Sequence, residues 1–248
     1  MASPIQLPAG NPGPLTGAGN NTWLIDGAEP TLVDAGVGLT PHVDAIAAAL
    51  GGRALARVLV THGHADHASG IDALRARWPD LDARKLVQDT DRGWRDLRDE
   101  HRIAAGDADL VAIHTPGHAP DHLCFWDADA RALYAGDMLA LGTTVMIPAG
   151  RGGDLRQYLA SLDRLAALGP LVAYPGHGPV IDRPLDLIRE YIAHRAMREQ
   201  QVLACLQEGV TDPDAIVAKI YGELVDPVRR AARMTIDAHL EKIRQESM

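Results

Sequence analysis

Residues 61–70 read THGHADHASG and place His62, His64, Asp66 and His67 within six positions. Imidazole nitrogen is a preferred ligand for zinc and other borderline divalent ions, and carboxylate oxygen adds a harder donor. Four such donors on so short a stretch cannot all reach one ion without strain, but they can divide between two adjacent ions. Two ions need about three or four protein ligands each, so further donors should come from elsewhere in the chain. The sequence supplies them: His118 in TPGHAPDH, Asp137 in YAGDM and His177 in YPGHGP. Each stands beside a glycine, which lets the backbone turn sharply and approach closely. A lone histidine is usually structural or at the surface; this set, in this spacing, reads as a metal site.

The elements that must carry these residues are short and apolar. RVLVT (57–61) leads directly into the histidine cluster, 110–114 leads to TPGHAPDH, 132–135 runs into GDML, and 171–174 runs into PGHGPV. Read as buried strands, they would bring their ends to one edge of a sheet, where loop-borne chemistry collects in layered α/β proteins. Thr22 to Ile25, Thr31 to Asp34 and Leu123 to Trp126 are further strand-like runs. Helices are expected over 41–50, with Pro41 suited to the first turn, over 70–78, ended by Pro79, and over 155–168, ended by Gly169 and Pro170. From Pro184 the pattern is helical throughout, with runs over 184–209, 212–221 and 227–246 and no metal-motif histidine. This divides the chain into a metal-hydrolase domain over 1–183 and a C-terminal helical appendage over 184–248.

The bulk numbers bound the function. A chain of 248 residues fits one large domain with a small addition. The net charge of −9 argues against a general nucleic-acid binder, since phosphate affinity rests on clustered Lys and Arg. Residues 186–248 carry 9 basic and 11 acidic side chains, with Arg229, Arg230 and Arg233 close together. Cys124 and Cys205 are far apart and outside any CxxC pair, as expected of free thiols in a reducing cytosol. No window approaches the ~20 apolar residues of a bilayer span. The Pro/Gly-rich N-terminus reads as an extended lead-in, not a signal peptide, so a cytoplasmic enzyme is expected.

The motifs THGHADHASG, TPGH, AGD and PGHG, in this order over roughly residues 20–180, resemble the metallo-β-lactamase superfamily. The resemblance implies a four-layer αββα sandwich. It also implies a ligand set: His62, His64 and His118 for one metal, Asp66, His67 and His177 for the other, and Asp137 bridging both. The stretches NPGPLTGAGNNTWLI, AGDMLALGTTV and PGHGPVI…YIAHRAMREQQVL narrow it further, being similar to the beta-lactamase-like protein 2 family. Members of that family carry a winged-helix-like C-terminal appendage, and relatives include an endoribonuclease acting on single-stranded RNA and fungal polyketide-releasing thioesterases. Two departures stand out. Asn20-Asn21-Thr22 replaces the more usual Thr-Asn-Thr, and KIRQESM ends the chain without the two strands of a wing, so a degenerate, purely helical appendage is expected.

The expected cofactors are two divalent ions per chain; zinc suits the histidine-rich set, and manganese or iron can occupy the same frame. Such a pair shares a water and lowers its pKa, making a bridging hydroxide the nucleophile. The expected function is a binuclear metal-dependent hydrolase. Its leading substrate is a phosphodiester such as single-stranded RNA, with an ester or thioester, lactone or β-lactam as the alternative. A non-enzymatic metal-binding protein and an iron redox protein are weaker readings. Asp66 is expected to handle the proton as well as bind metal, and the resemblance gives Asp34 the role of supporting the histidine loop from behind. His122 could reach the leaving group or orient a ligand. Thr143 and Thr144 could line the pocket or cap a turn. His194, Arg195 and Arg198 follow on a helix, where Arg195 and Arg198, three apart, could receive a phosphate. The partners expected are a small-molecule or single-stranded nucleic-acid substrate, no membrane, and a monomer or homodimer.

Overall fold

The computed structural model describes residues 3–13, 16–88 and 92–247; four residues of the N-terminal lead-in, 1–2 and 14–15, lie outside the described residues. Two mixed sheets face each other. The first takes β1 (Ile5–Pro8), β2 (Asn21–Ile25), β3 (Thr31–Val33), β4 (Arg57–Leu59), β5 (Asp82–Lys85) and β6 (Arg95–Asp96) in that order. The second is ordered β11-β10-β9-β8-β7, from β7 (Arg102–Ala105), β8 (Ala108–His114), β9 (Leu123–Asp127), β10 (Ala132–Gly136) and β11 (Val172–Pro175). β3, β4 and β5 run parallel, as do β10 and β11.

Side-chain alternation along the strands builds the layers. Leu24, Leu32 and Val58 face outward onto α1 (Thr40–Leu50) and α3 (Ile71–Arg77), packing with Ile46, Leu50 and Leu74. Their sequence neighbours Trp23, Val33 and Leu59 face the other way and meet Leu110, Leu123, Phe125 and Tyr134 between the sheets. The remaining face of the second sheet, with Cys124, Trp126, Leu133 and Ala135, is covered by α4 (Leu155–Leu168) and the start of α5 (Pro184–Gln207). The order of layers is therefore helix, sheet, sheet, helix.

Beyond this sandwich, Val202 and Cys205 of α5 pack with Ile216 and Val217 of α6 (Pro213–Tyr221) and Ile236 and Leu240 of α7 (Asp226–Glu246). Residue 184 opens α5, but the first turns of that helix belong to the sandwich: Leu187, Ile188 and Tyr191 sit in the cluster with Leu162 and Leu165. Among the described residues no strand follows α5, and no helix is long and apolar enough to cross a membrane.

Candidate metal centre

All the donor-bearing loops leave strand ends on one side of the sandwich. β4 runs into Thr61–Gly63 and then α2 (Ala65–Ala68), a single turn carrying Asp66 and His67. The loop after β8 carries His118, β10 leads to Asp137, and β11 leads to His177. Two donor groups result: His62, His64, His118 and Asp137 form one, and Asp66, His67 and His177 the other, with donor atoms inside each group within 4.8 Å of one another. The Asp137 carboxylate stands between them. Its Oδ2 lies 3.5 Å from His118 Nε2, while Oδ1 lies 3.4 Å from His67 Nε2 and 3.5 Å from His177 Nε2.

The hydrogen bonds behind the rings decide which nitrogen faces inward. His118 Nδ1 donates to the Met146 carbonyl at 2.8 Å, which bares Nε2 toward His64 Nδ1, 3.0 Å away. Thr61 Oγ1 gives its single proton to Asp34 Oδ1 at 2.9 Å, so it accepts from His62 Nδ1 at 3.0 Å. His62 Nε2 is thereby left facing His64 Nδ1 at 2.9 Å. His67 Nδ1 donates to Asp34 Oδ2 at 2.7 Å, and its buried Nε2 has no hydrogen-bond partner. Buried Oδ1 of Asp137 is also unpartnered. Three imidazole nitrogens converge at about hydrogen-bond distance with one proton at most to share among them. Such a convergence of lone pairs and carboxylates is relieved by cations, and the donor set fits two divalent ions.

Charge in the centre follows from this crowding. Burial pushes His62 well below the ordinary histidine range, and His67 adds to it. Burial also opposes charge on His67, but Asp137 and Asp34 outweigh it and hold that ring well above the range. For Asp137 burial favours the neutral acid, yet His67, His62 and His118 keep it strongly ionised. Asp66 likewise stays a carboxylate: burial is outweighed by the hydrogen bond from His177 and the charge near His67. The open side of the centre is formed by His64, Asp66 and His177. Gly176 is required by contact, since a Cβ there would stand 2.7 Å from both Asp137 Oδ1 and His67 Cε1.

The other residues singled out in the sequence fall in different places. Asp34 is buried behind the histidine loop at φ 65°, a left-handed conformation that Asp tolerates better than most residues. His122 is fully buried behind the ligands and does not reach a leaving group. Its Nε2 accepts from the Asp137 backbone N–H at 3.0 Å and its Nδ1 donates to Thr115 Oγ1 at 2.9 Å, so it fixes Asp137. Thr143 and Thr144 are exposed on the segment after Asp137, and Thr144 Oγ1 accepts from Arg195 at 3.1 Å. His194 is exposed on α5. The pair Arg195 and Arg198 is corrected: Arg195 is buried and bonded to Thr144 and the Val145 carbonyl, while Arg198 lies over the Tyr221 ring at 4.1 Å. The two guanidinium groups do not form a shared phosphate seat.

Several supporting residues escape sequence reasoning. Asp121 is buried and accepts the Gly63 N–H at 2.9 Å, with Lys85 Nζ 3.9 Å away. Asn20 donates to the Asp66 carbonyl, and Asn21 reaches the Pro175 and Gly178 carbonyls on either side of His177. The Asn-Asn pair thus ties both halves of the second donor group to the start of β2.

Comparison with known proteins agrees with this geometry. The family model described as "Metallo-beta-lactamase superfamily" matches residues 15–177. The lactamase-like protein aptB of Emericella nidulans is 37% identical over 98% of this chain and 81% of its own length. The beta-lactamase-like protein 2 homolog of Caenorhabditis elegans is 35% identical over 94% and 81%. The atrochrysone carboxyl ACP thioesterase of Aspergillus chevalieri is 34% identical over 92% and 76%. Among solved structures, a metallo-beta-lactamase family protein of Thermus thermophilus superposes with a TM-score of 0.79 at 26% identity, covering 100% of this chain and 95% of that one.

Proposed function

The chain belongs to the metallo-beta-lactamase superfamily of hydrolases, and on that footing we propose that it is a binuclear metal hydrolase acting on an acyl thioester or related ester. His62, His64, His118 and Asp137 would hold one ion, and Asp66, His67, His177 and the other oxygen of Asp137 the second. The histidine-rich set suits zinc. When bound, the two ions supply a water deprotonated near neutral pH and polarise the acyl carbonyl.

The chain's own residues do the rest. Asp34, Thr61 and the Met146 carbonyl hold the His67, His62 and His118 rings with the correct nitrogen inward. His122 and Gly176 let Asp137 sit between the two donor groups. Asp66, ionised and on the open side, accepts a proton as water adds to the carbonyl carbon and passes it to the departing thiolate or alkoxide as the acyl bond breaks. The seven donors converging in two groups about Asp137 support hydrolysis as the reaction.

The choice of substrate class rests on one observation, the inward commitment of Arg195. The phosphodiester reading follows from the resemblance, with Arg195 and Arg198 as residues that could receive a phosphate, and both side chains are engaged elsewhere. The acyl reading needs no such cations, and it accords with the thioesterase named among the relatives. The test is a side-by-side panel: an acyl thioester, a p-nitrophenyl ester, bis-p-nitrophenyl phosphate, single-stranded RNA and nitrocefin. We expect thioester or ester turnover to dominate and metal content to approach two ions per chain. RNA cleavage without thioester turnover would reverse the assignment, and metal content well below one under replete conditions would end the binuclear reading.

A further inference from the structure

Residues 137–146 run from Asp137 to Met146, whose carbonyl orients His118, and the ten-residue segment contains no helix or strand. Three buried side chains hold it along its length. Tyr158 OH, from α4, donates to the Met138 carbonyl at 2.8 Å. Tyr191 OH, from α5, lies 2.6 Å from the Ala140 carbonyl and 2.8 Å from that of Thr143, and accepts from the Ala140 N–H at 3.3 Å. Arg195 Nη2, one helical turn further on, donates to Thr144 Oγ1 and to the Val145 carbonyl, the residue before Met146. The guanidinium sits 5.8 Å from the Tyr158 ring centroid, so two of the three supports are themselves in contact.

Arg195 is 2% exposed, burial opposes its charge, and among the described residues it forms no ion pair with a carboxylate. Burying a guanidinium without an acid is costly, and an apolar side chain of similar length would pack the same space more favourably. The feature an apolar residue could not supply is the pair of bonds to residues 144 and 145. A histidine ligand depends on the group behind its other nitrogen for its tautomer and ring angle.

We infer that Arg195 and Tyr191 are positioning residues for His118, and that α5 therefore forms part of the metal centre through the 137–146 segment. The inference rests on the proposed role of His118 as a ligand, but its central claim concerns the His118–Met146 hydrogen bond. Loss of the Arg195 bonds frees the Met146 carbonyl, the His118 ring then turns, and Nε2 leaves its place opposite His64 and Asp137.

The test compares Arg195→Met, Arg195→Lys and Tyr191→Phe with the parent chain in two measurements. One is solvent exchange of the His118 imidazole N–H and of the 139–147 backbone amides by NMR in chelator-treated protein. The other is zinc affinity by competition with a chromophoric chelator. Arg195→Met should retain its circular dichroism, exchange faster at His118 and bind one of its two ions roughly 10–100-fold more weakly. Tyr191→Phe should shift both readings in the same direction, and Arg195→Lys should recover part of the loss, since an ammonium can still donate to a loop carbonyl. Parent-like exchange and parent-like affinity in both Arg195→Met and Tyr191→Phe would overturn the inference. If the parent chain bound no zinc but Arg195→Met still loosened His118, the hydrolase reading would fail and the positioning role would stand.

Discussion

Asp34 takes a 2.7 Å hydrogen bond from His67 Nδ1, and the same carboxylate takes the Thr61 N–H at 2.8 Å and the Thr61 hydroxyl at 2.9 Å. One buried acid therefore sets the orientation of His67 directly and of His62 through Thr61. Asp34→Asn tests this with little change of shape, because Asn tolerates the left-handed φ of 65° as Asp does. Its amide nitrogen, turned toward His67, would donate where the carboxylate accepted. The ring proton would then move to Nε2, the nitrogen that faces Asp66 and Asp137. Affinity for one ion should fall roughly 10–100-fold, measured by chelator competition, with the circular dichroism unchanged. Parent-like binding of both ions would show that Asp34 does not control the tautomer.

Asp121 does for the backbone what Asp34 does for the rings. It holds the Gly63 N–H between His62 and His64, in a buried position beside Lys85. Asp121→Ala removes that acceptor, and because Gly63 is itself exposed the cost is the net worth of the hydrogen bond, about 0.5–1.5 kcal/mol. In a chain of this size that lowers the melting midpoint by roughly 2–4 °C per kcal/mol. Asp121→Asn, which keeps a carbonyl oxygen, should lose less. Calorimetry on the three chelator-treated proteins would decide, and an Asp121→Ala variant as stable as the parent would refute the assignment.

How much of this was legible in the chain depends on whether a residue acts by type or by position. The seven donors can be read because each must be His or Asp, each motif follows an apolar run, and all but Asp66 and His67 adjoin a glycine. Asp121, Asn20 and Thr61 act through their neighbours in space; Asn20 stands in a stretch that carries the resemblance, but nothing there shows that it bonds a carbonyl 46 residues away. The Met146 contribution is a carbonyl, which every residue has. Arg195 was misplaced for a related reason. Three-residue spacing puts it on a face with Arg198, but spacing alone does not say which edge of that face the Tyr158 and Tyr191 rings will cover. Strands β5 (DARK) and β7 (RIAA) are hidden because Asp82, Arg84 and Arg102 take three of their four outward positions, while two alanines and a lysine stand at three of the four inward ones.

Metal binding should appear as stability. An ion present at 100 times its dissociation constant adds about 2.7 kcal/mol to the folded state. Removing it with a chelator should lower the melting midpoint by roughly 5–10 °C, and added zinc should restore it. His64 is exposed, so His64→Ala should cost little packing while removing one donor and abolishing hydrolysis. Asp137→Ala, which removes a donor from between both groups, should abolish both hydrolysis and the zinc-dependent rise in melting temperature. A zinc-dependent rise in Asp137→Ala equal to that of the parent would exclude its bridging position.

His239 predicts a pH dependence that is separate from the metal centre. It is wholly buried on α7, both ring nitrogens lack hydrogen-bond partners, and the nearest carboxylate oxygen, Glu199 Oε2, is 3.7 Å from Nδ1. The other carboxylate oxygen of Glu199 is engaged by Lys242 at 2.8 Å, and Arg195, Arg198 and His194 face the ring from α5. Burial first, then these cations, push His239 down to about 3. In the unfolded chain the ring titrates near 6.5, so between these two values the unfolded state binds the extra proton. Stability contributed by the neutral ring is therefore present above pH 6.5 and lost as pH falls toward 3, by up to about 1.4 kcal/mol per pH unit. His239→Leu removes the titrating group and two unsatisfied nitrogens at once. Urea midpoints at pH 7.5 and pH 5 should thus diverge, the variant losing less on acidification than the parent. Equal losses in the two proteins would mean that His239 finds a proton-accepting partner in the folded state and does not carry this term.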